Sequence, residues 1–251
     1  FLFVARNIPK IPTKTIGQQI YFFKEIDSTN NKAIELATKG ISEGTVVVAE
    51  KQTSGRGRFK RKWISPLGGL YLSIILFPYI NIKYSWHFTF ISALSVAKTI
   101  QKLYDLQIKI KWPNDIIIND KKVSGILTEV EQKNNFIKFI VIGIGINLKK
   151  IFFEQEKITS IEEETNKKVL YLQALKELLI EYEKNYFNFQ KNGFVAILNE
   201  IKYISYDLGR FIKINHNDEI IEGYAGANFT TVIFQHEIDH LNGILFIDRA
   251  L

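Results

Sequence analysis

The chain predicts an α+β domain: a mixed or antiparallel sheet with helices packed against it. Two observations carry that reading. Strand-like and helical segments succeed one another without the regular alternation that builds a parallel sheet, and no internal repeat is visible. The balance of 46% hydrophobic and 24% charged residues over 251 positions suits one large domain, or one large and one small, with a substantial core.

In chain order, Ile20–Ile26 is an apolar, aromatic run that reads as a strand. Asp27-Ser28-Thr29-Asn30 then offers several helix-capping oxygens. Ala33, Ile34, Leu36 and Ala37 recur at helical spacing through Lys32–Lys39 until Gly40 stops them. Thr45–Ala49 is a short β-branched strand, Gln52–Lys62 a basic glycine-rich loop, and Gly69–Phe77 another strand. Phe88–Tyr104 sets Ile91, Leu94, Ala97, Ile100 and Leu103 on one helical face. Gln107–Trp112 and Asp115–Ile118 flank Pro113, which cannot donate to a ladder, so a bend or an edge is expected there. Asn119–Lys122 reads as a tight hairpin turn and Val123–Gln132 as the returning strand. Phe136–Leu148 is a long strand and Leu170–Gln190 a long amphipathic helix. Short strands follow from about Tyr206, and the character of the sequence changes again at Phe229.

Composition narrows the function. No apolar run approaches the roughly 20 residues that span a bilayer, so no membrane association is expected. The apolar start before Arg6 is too short for a signal-peptide core, which makes a cytoplasmic location the default. A chain that opens on Phe1 and contains no Met reads as trimmed, processed or edited. The absence of Cys excludes disulfides, thiolate nucleophiles and Cys-ligated zinc. The net charge of +7 fits either a solvated basic face or a site for anions, and the placement of the cations decides between them.

Part of that charge is concentrated in Gly55-Arg56-Gly57-Arg58-Phe59-Lys60-Arg61-Lys62-Trp63. Glycines let backbone N–H groups approach a ligand, and guanidinium forks match carboxylate and phosphate. On spacing alone, a flexible basic loop or a nucleic-acid patch fits as well. Lys111-Trp112-Pro113-Asn114-Asp115 ends an apolar strand on one lysine. That lysine either snorkels to water or neutralises charge developing between a carboxylate and an α-phosphate.

Taken together, six motifs stand in order: Asp27-Ser28-Thr29-Asn30; Gln52 with Gly55-Arg56-Gly57-Arg58; Trp63-Ile64-Ser65-Pro66 with Gly69-Leu70-Tyr71-Leu72-Ser73; Lys111-Trp112-Pro113-Asn114-Asp115; Ser124-Gly125-Ile126-Leu127; and Gly143-Ile144-Gly145-Ile146-Asn147-Leu148. This series resembles the catalytic domain of biotin–protein ligases over roughly Tyr21 to Ala225. The resemblance implies a class II synthetase-like catalytic domain over residues 1–200, followed by a partial SH3-like β-barrel over 201–228. It also implies an AMP-forming reaction of biotin with Mg2+ and ATP, and transfer to a lysine of a biotin carboxyl carrier protein. By position, Ser28, Thr29, Asn30 and Gln52 are implied to bond the ureido and tail groups of biotin. Arg56 and Arg58 are implied to close over the biotinyl phosphate, and Lys111 to meet the reacting carboxylate and phosphate. Gly125 is implied to let backbone approach the biotin ring, and Trp63 and Asn147 to lie on the nucleotide side. Lys60 departs from the pattern, since the family usually has glycine there.

The end of the chain is of another kind. Gln235-His236-Glu237-Ile238-Asp239-His240 is an HExxH motif whose histidines can share a metal on one helical face. Phe234 to Arg249 resembles the last motif of peptide deformylases, but Glu222-Gly223-Tyr224 resembles that family's cysteine motif only superficially, since Tyr224 is no thiolate and lies too close in sequence to the histidines. The chain therefore reads as a junction of two unrelated sequences, with residues 229–251 a tail helix and His236 and His240 weak metal candidates. A metal-dependent deformylase-like hydrolase and a nucleic-acid-binding module remain alternatives to the ligase. Only a short stretch precedes Tyr21, so no reading head, and no sequence-specific DNA binding, is expected. A monomer and a homodimer are both compatible with the sequence.

Overall fold

Period-two alternation along the strands sorts the apolar residues onto the two faces of one seven-stranded sheet. The computed structural model describes residues 10–150, 157–216 and 219–224. The strands are β1 (Ile20–Ile26), β2 (Val46–Gln52), β3 (Gly69–Leu76), β4 (Lys109–Lys111), β5 (Asp115–Ile118), β6 (Lys121–Lys133) and β7 (Phe136–Asn147), in the order β1-β2-β3-β7-β6-β5-β4. β1 and β2 run parallel, joined by the crossover helix α1 (Thr29–Thr38), and every other pairing is antiparallel. The sheet is thus mixed.

On one face, Val46, Val48, Leu72, Ile74, Ile140, Ile142, Ile144 and Ile146 form the main core. Over them lie α2 (Trp86–Tyr104), the single turn α3 (Ile161–Glu164), α4 (Tyr171–Asn192) and α5 (Phe194–Tyr203). On the other face, Val47, Ala49, Ile75, Phe139 and Val141 pack against Ala33, Leu36 and Ala37 of α1. The buried carboxylate of Glu183 in α4 accepts N–H bonds from Lys14, Thr15 and Ile16 at 2.7–3.0 Å, which ties the entry to β1 onto α4.

Several boundaries differ from those the sequence suggests. α1 begins at Thr29 instead of Lys32, with Ser28 extended at its N-cap (φ −155°, ψ 133°). The strand expected over Gln107–Trp112 is only Lys109–Lys111, and the bend expected at Pro113 follows it, with a cis Trp112–Pro113 peptide. The hairpin turn consists of Asn119 and Asp120, both left-handed (φ 48° and 61°), as a two-residue turn between twisted strands requires. The sequence reading missed α5. Its apolar residues Phe194, Ile197, Leu198 and Ile201 carry the helical period, but Gly193 (φ 74°) separates it from α4 and leaves a short segment. Where the sequence suggests a partial SH3-like barrel, the described residues contain one two-stranded hairpin, β8 (Phe211–His216) with β9 (Glu219–Tyr224). The tail from Phe229, with His236 and His240, lies outside the described residues. Among the described residues no helix is long and apolar enough to cross a membrane.

His87 is the most unusual group in the core. Its ring stacks on Phe194 of α5 at 4.1 Å and 7°, with Tyr84, Trp86 and Phe189 around it. Burial among these rings lowers its pKa from 6.5 to about 3, because the imidazolium would lose its water without gaining an anion. A depressed histidine pKa contributes stability that is present above the unfolded value and is lost as pH falls toward the folded one. We expect the native chain to lose on the order of 2–3 kcal/mol between about pH 6.5 and pH 4.5 through this group. His87→Phe should lose correspondingly less. Urea melts across that interval check this, and parallel pH profiles for the two proteins would count against it.

Candidate active site

The face of the sheet that α1 covers continues past the helix, and there its side chains disappear. Along β7 the residues on that face read Phe139, Val141, Gly143, Gly145 and Asn147: large under α1, absent at the two glycines, and polar at the end. In register across the sheet, Tyr71 pairs with Gly145, Gly145 with Gly125, Gly125 with Asp115, and Asp115 with Lys111. From Gly145 to Lys111 this row lines a cleft of about 870 Å³. Ser28, Thr29, Asn30, Gln52, Arg56, Arg58, Trp63, Lys111, Gly125 and Asn147 all line it, so the residues singled out in the sequence converge on one place.

The glycines are required sterically. A Cβ on Gly145 would stand 2.4 Å from Trp63 Nε1, and one on Gly125 would stand 3.0 Å from the same indole. Gly125 was expected to open the floor to a ligand ring; here the Trp63 side chain lies over it. Lys122 stands over the Trp63 ring at 5.2 Å and pairs with Asp115 at 2.6 Å. Trp63 Nε1 is buried with no hydrogen-bond partner among the described residues. So is Asn147 Oδ1, although Asn147 Nδ2 donates to the Thr159 carbonyl at 3.0 Å.

At the α1 end the polar groups form a connected network. Gln52 Oε1 accepts from the Thr29 N–H at 2.8 Å and lies 3.1 Å from Thr29 Oγ1, while Gln52 Nε2 donates to Ser65 Oγ at 2.9 Å. Ser73 Oγ lies 2.6 Å from Asn30 Oδ1 and 2.8 Å from Thr29 Oγ1. Asn30 Oδ1 can only accept, so the single Ser73 proton goes to it. Asn30 Nδ2 donates to Glu129 Oε2 at 2.7 Å, and the other oxygen of Glu129 pairs with Arg56, which also donates to Asn31 Oδ1 at 2.8 Å. Ser73, Glu129 and Lys122 went unassigned in the sequence reading. The signal for Glu129 was its spacing: two and four residues beyond Leu127 and Gly125 on one strand, it must share their face.

The glycine-rich loop folds back on itself, with Gly57 N–H on the Arg61 carbonyl at 2.8 Å and Trp63 N–H on the Gly55 carbonyl at 2.9 Å. Phe59 and Lys60 at its tip are both left-handed (φ 54° and 59°), a conformation that costs a residue with a Cβ about 1–2 kcal/mol. Lys60 thus occupies a backbone position that glycine takes freely. The rim is cationic: Arg56, Arg58, Arg61, Lys62, Lys111, Lys122 and Lys157 line the cleft, against Asp115 and Asp120. Asp115 is paired with Lys122, and Asp120 lies 3.7 Å from Arg210, so the field inside favours an anion.

This arrangement has known counterparts. A model of the biotin/lipoate A/B protein ligase family matches residues 22–147. The chain belongs to that family. The bifunctional ligase/repressor BirA of Bacillus subtilis is 37% identical over 205 residues, covering 79% of this chain and 62% of that protein. The chain therefore spans less than two thirds of the length of this relative. A biotin–[acetyl-CoA-carboxylase] ligase of Paracoccus denitrificans is 35% identical over 124 residues, 49% of this chain and 51% of its own. Among solved structures, the biotin protein ligase of Aquifex aeolicus in complex with biotin and ATP superposes with a TM-score of 0.72 at 31% identity, over 82% of this chain and 86% of that one. A second model, polypeptide deformylase, matches residues 211–251, most of which lie outside the described residues.

The glycine spacing along β7 has a measurable consequence. A Cβ on Gly143 would stand 2.2 Å from Asn30 Oδ1. Gly143→Ala should expel the Asn30 amide from its bonds to Ser73 and Glu129 and destabilise the fold by roughly 1–3 kcal/mol. Chemical denaturation of the variant, compared with Asn30→Ala, checks this: the double variant should lose less than the sum of the two.

Proposed function

We propose that this chain is a biotin–protein ligase. It forms biotinyl-5′-AMP from biotin and Mg·ATP and passes the biotinyl group to a lysine of a biotin carboxyl carrier protein. One observation carries the reading: the glycine floor and the arginine loop meet at one cleft, with Lys111 closing the same cross-strand row. A cleft of this volume suits a small molecule together with a nucleotide. The likeness to a ligase solved with biotin and ATP supports the substrate class.

The chemistry follows from the charge. An oxygen of the biotin carboxylate attacks the α-phosphorus of ATP, the bond to the bridging oxygen breaks, and pyrophosphate leaves. The acceptor amine then attacks the acyl carbon, loses a proton, and AMP departs. Both steps gather negative charge on oxygen, and fixed cations in a shielded cleft stabilise it without reorganising. Lys111, Arg58 and Arg56 are the groups we assign to that task. Ser28, Thr29, Asn30 and Gln52 offer the donors and acceptors for the polar ring of biotin. Trp63 Nε1 and Asn147 Oδ1, buried and without a partner among the described residues, suit the nucleotide side, since a ligand that pairs them removes a cost of about 1–3 kcal/mol each. Mg2+ belongs to the substrate, carried by the ATP phosphates, which is its usual mode in such sites.

Incubation with biotin, Mg·ATP and a carrier domain should raise the carrier's mass by one biotinyl group. Lys111→Ala and Arg58→Ala should each slow biotinyl-AMP formation about 100-fold or more while leaving the melting curve unchanged. Pyrophosphate release at the native rate in both variants would sink the assignment. The match to polypeptide deformylase supplies the competing reading. For it we expect no formate release from a formyl-Met peptide with added nickel, iron or zinc, because His236 and His240 give two ligands where a catalytic centre takes three. Turnover abolished by His236→Ala would reverse that expectation.

A further inference from the structure

We propose that Tyr206 and Asp207 are positioning residues for Lys111, held on a strap of chain that runs from the end of α5 beside β4. The proposal rests on the ligase reading of the cleft. Lys111 sits on a three-residue strand at the edge of the sheet, and its side chain is exposed. A lysine there has a flexible four-carbon stem and no neighbouring strand on its outer side, which is poor support for a charge that must stand at one place. The strap supplies what the edge lacks. Ile110 N–H donates to the Ile204 carbonyl at 2.7 Å, and Tyr206 N–H donates to the Ile110 carbonyl at 2.8 Å. On the far side of Lys111, the Trp112 N–H donates to the Asp207 carboxylate at 2.7 Å. The peptide units before and after Lys111 are therefore both tied to the strap.

The side chain is met as well. Lys111 Nζ lies 5.8 Å from the centroid of the Tyr206 ring, within reach of a cation–π attraction. Arg210 lies 3.9 Å from the same ring and 3.7 Å from Asp120, so the ring is held in turn. Burial pushes the Asp207 carboxyl up, opposed by the Trp112 N–H and by the positive charges of Lys111 and Arg210, which ties this carboxylate electrostatically to the lysine. All of these side chains precede residue 211, where the deformylase match begins. The support for Lys111 therefore comes from residues outside the segment that the deformylase model matches.

The experiment uses the full chain and biotin-dependent ATP–pyrophosphate exchange. Tyr206→Leu should lower kcat about fivefold with KM for biotin within about twofold, and Tyr206→Phe, which keeps the ring, should recover most of the rate. In a Lys111→Ala background Tyr206→Leu should have no further effect, because the group it positions is gone. Asp207→Asn keeps an acceptor for Trp112 and should lose less than Asp207→Ala. A readout independent of turnover is the NMR signal of 13C-methylated Lys111, identified by its loss in Lys111→Arg. It should carry a ring-current shift that Tyr206→Leu removes and Tyr206→Phe retains. Wild-type kcat in Tyr206→Leu, an equal fold-loss in the Lys111→Ala background, or an unchanged Lys111 signal would each overturn the proposal. If the native chain makes no biotinyl-AMP while the ring-current pattern holds, the ligase reading fails and the placement of Lys111 by Tyr206 stands.

Discussion

The cleft depends on side chains that are missing from one face of the sheet. Gly125 and Gly145 are paired directly across β6 and β7, and Gly143 follows on the same face. Without their Cβ atoms the sheet surface drops locally, and the space is taken by Trp63 over the first two glycines and by Asn30 over the third. Strand period does the rest. Once Phe139 and Val141 are committed to the α1 side, residues 143, 145 and 147 are committed with them. A one-residue slip of β7 would bring isoleucines into the cleft and glycines into the main core, so the register that buries the apolar face also builds the site.

On this floor the polar groups are interdependent. Asn30 takes one bond from Ser73 of β3 and gives one to Glu129 of β6, and Glu129 holds Arg56 of the glycine-rich loop. The loop's position is therefore coupled to the first turn of α1 through two strands. The charges follow a similar logic. Asp115 and Asp120, the carboxylates on the cleft wall, are engaged by Lys122 and Arg210, which leaves the field to the remaining cations. An anionic ligand entering the cleft gains from that field.

Much of this was legible in the sequence, for physical reasons. β1 and β5 were read with their observed ends, and β3, β6, β7, α2 and α4 to within a few residues, because alternation and helical period are local properties of the backbone. The cleft residues were legible from glycine and cation spacing together with the family resemblance. α5 was missed because Gly193 cut its periodic signal to ten residues, too few to stand apart from the helix before it.

The sequence by itself determined the class of fold, the strands and most of the helices, because periodicity is local, and its motifs singled out residues that line the cleft. It left open which strands are neighbours and which side chains meet. The parallel pairing of β1 with β2, the indole of Trp63 over the glycines, the Glu129–Arg56 pair and the strap beside Lys111 were decided only by tertiary structure. Glu129 and Arg56 are separated by 73 positions and Trp112 and Asp207 by 95. Contacts at such distances along the chain form when burial of the apolar faces brings whole elements together, and no short window of residues contains that free energy.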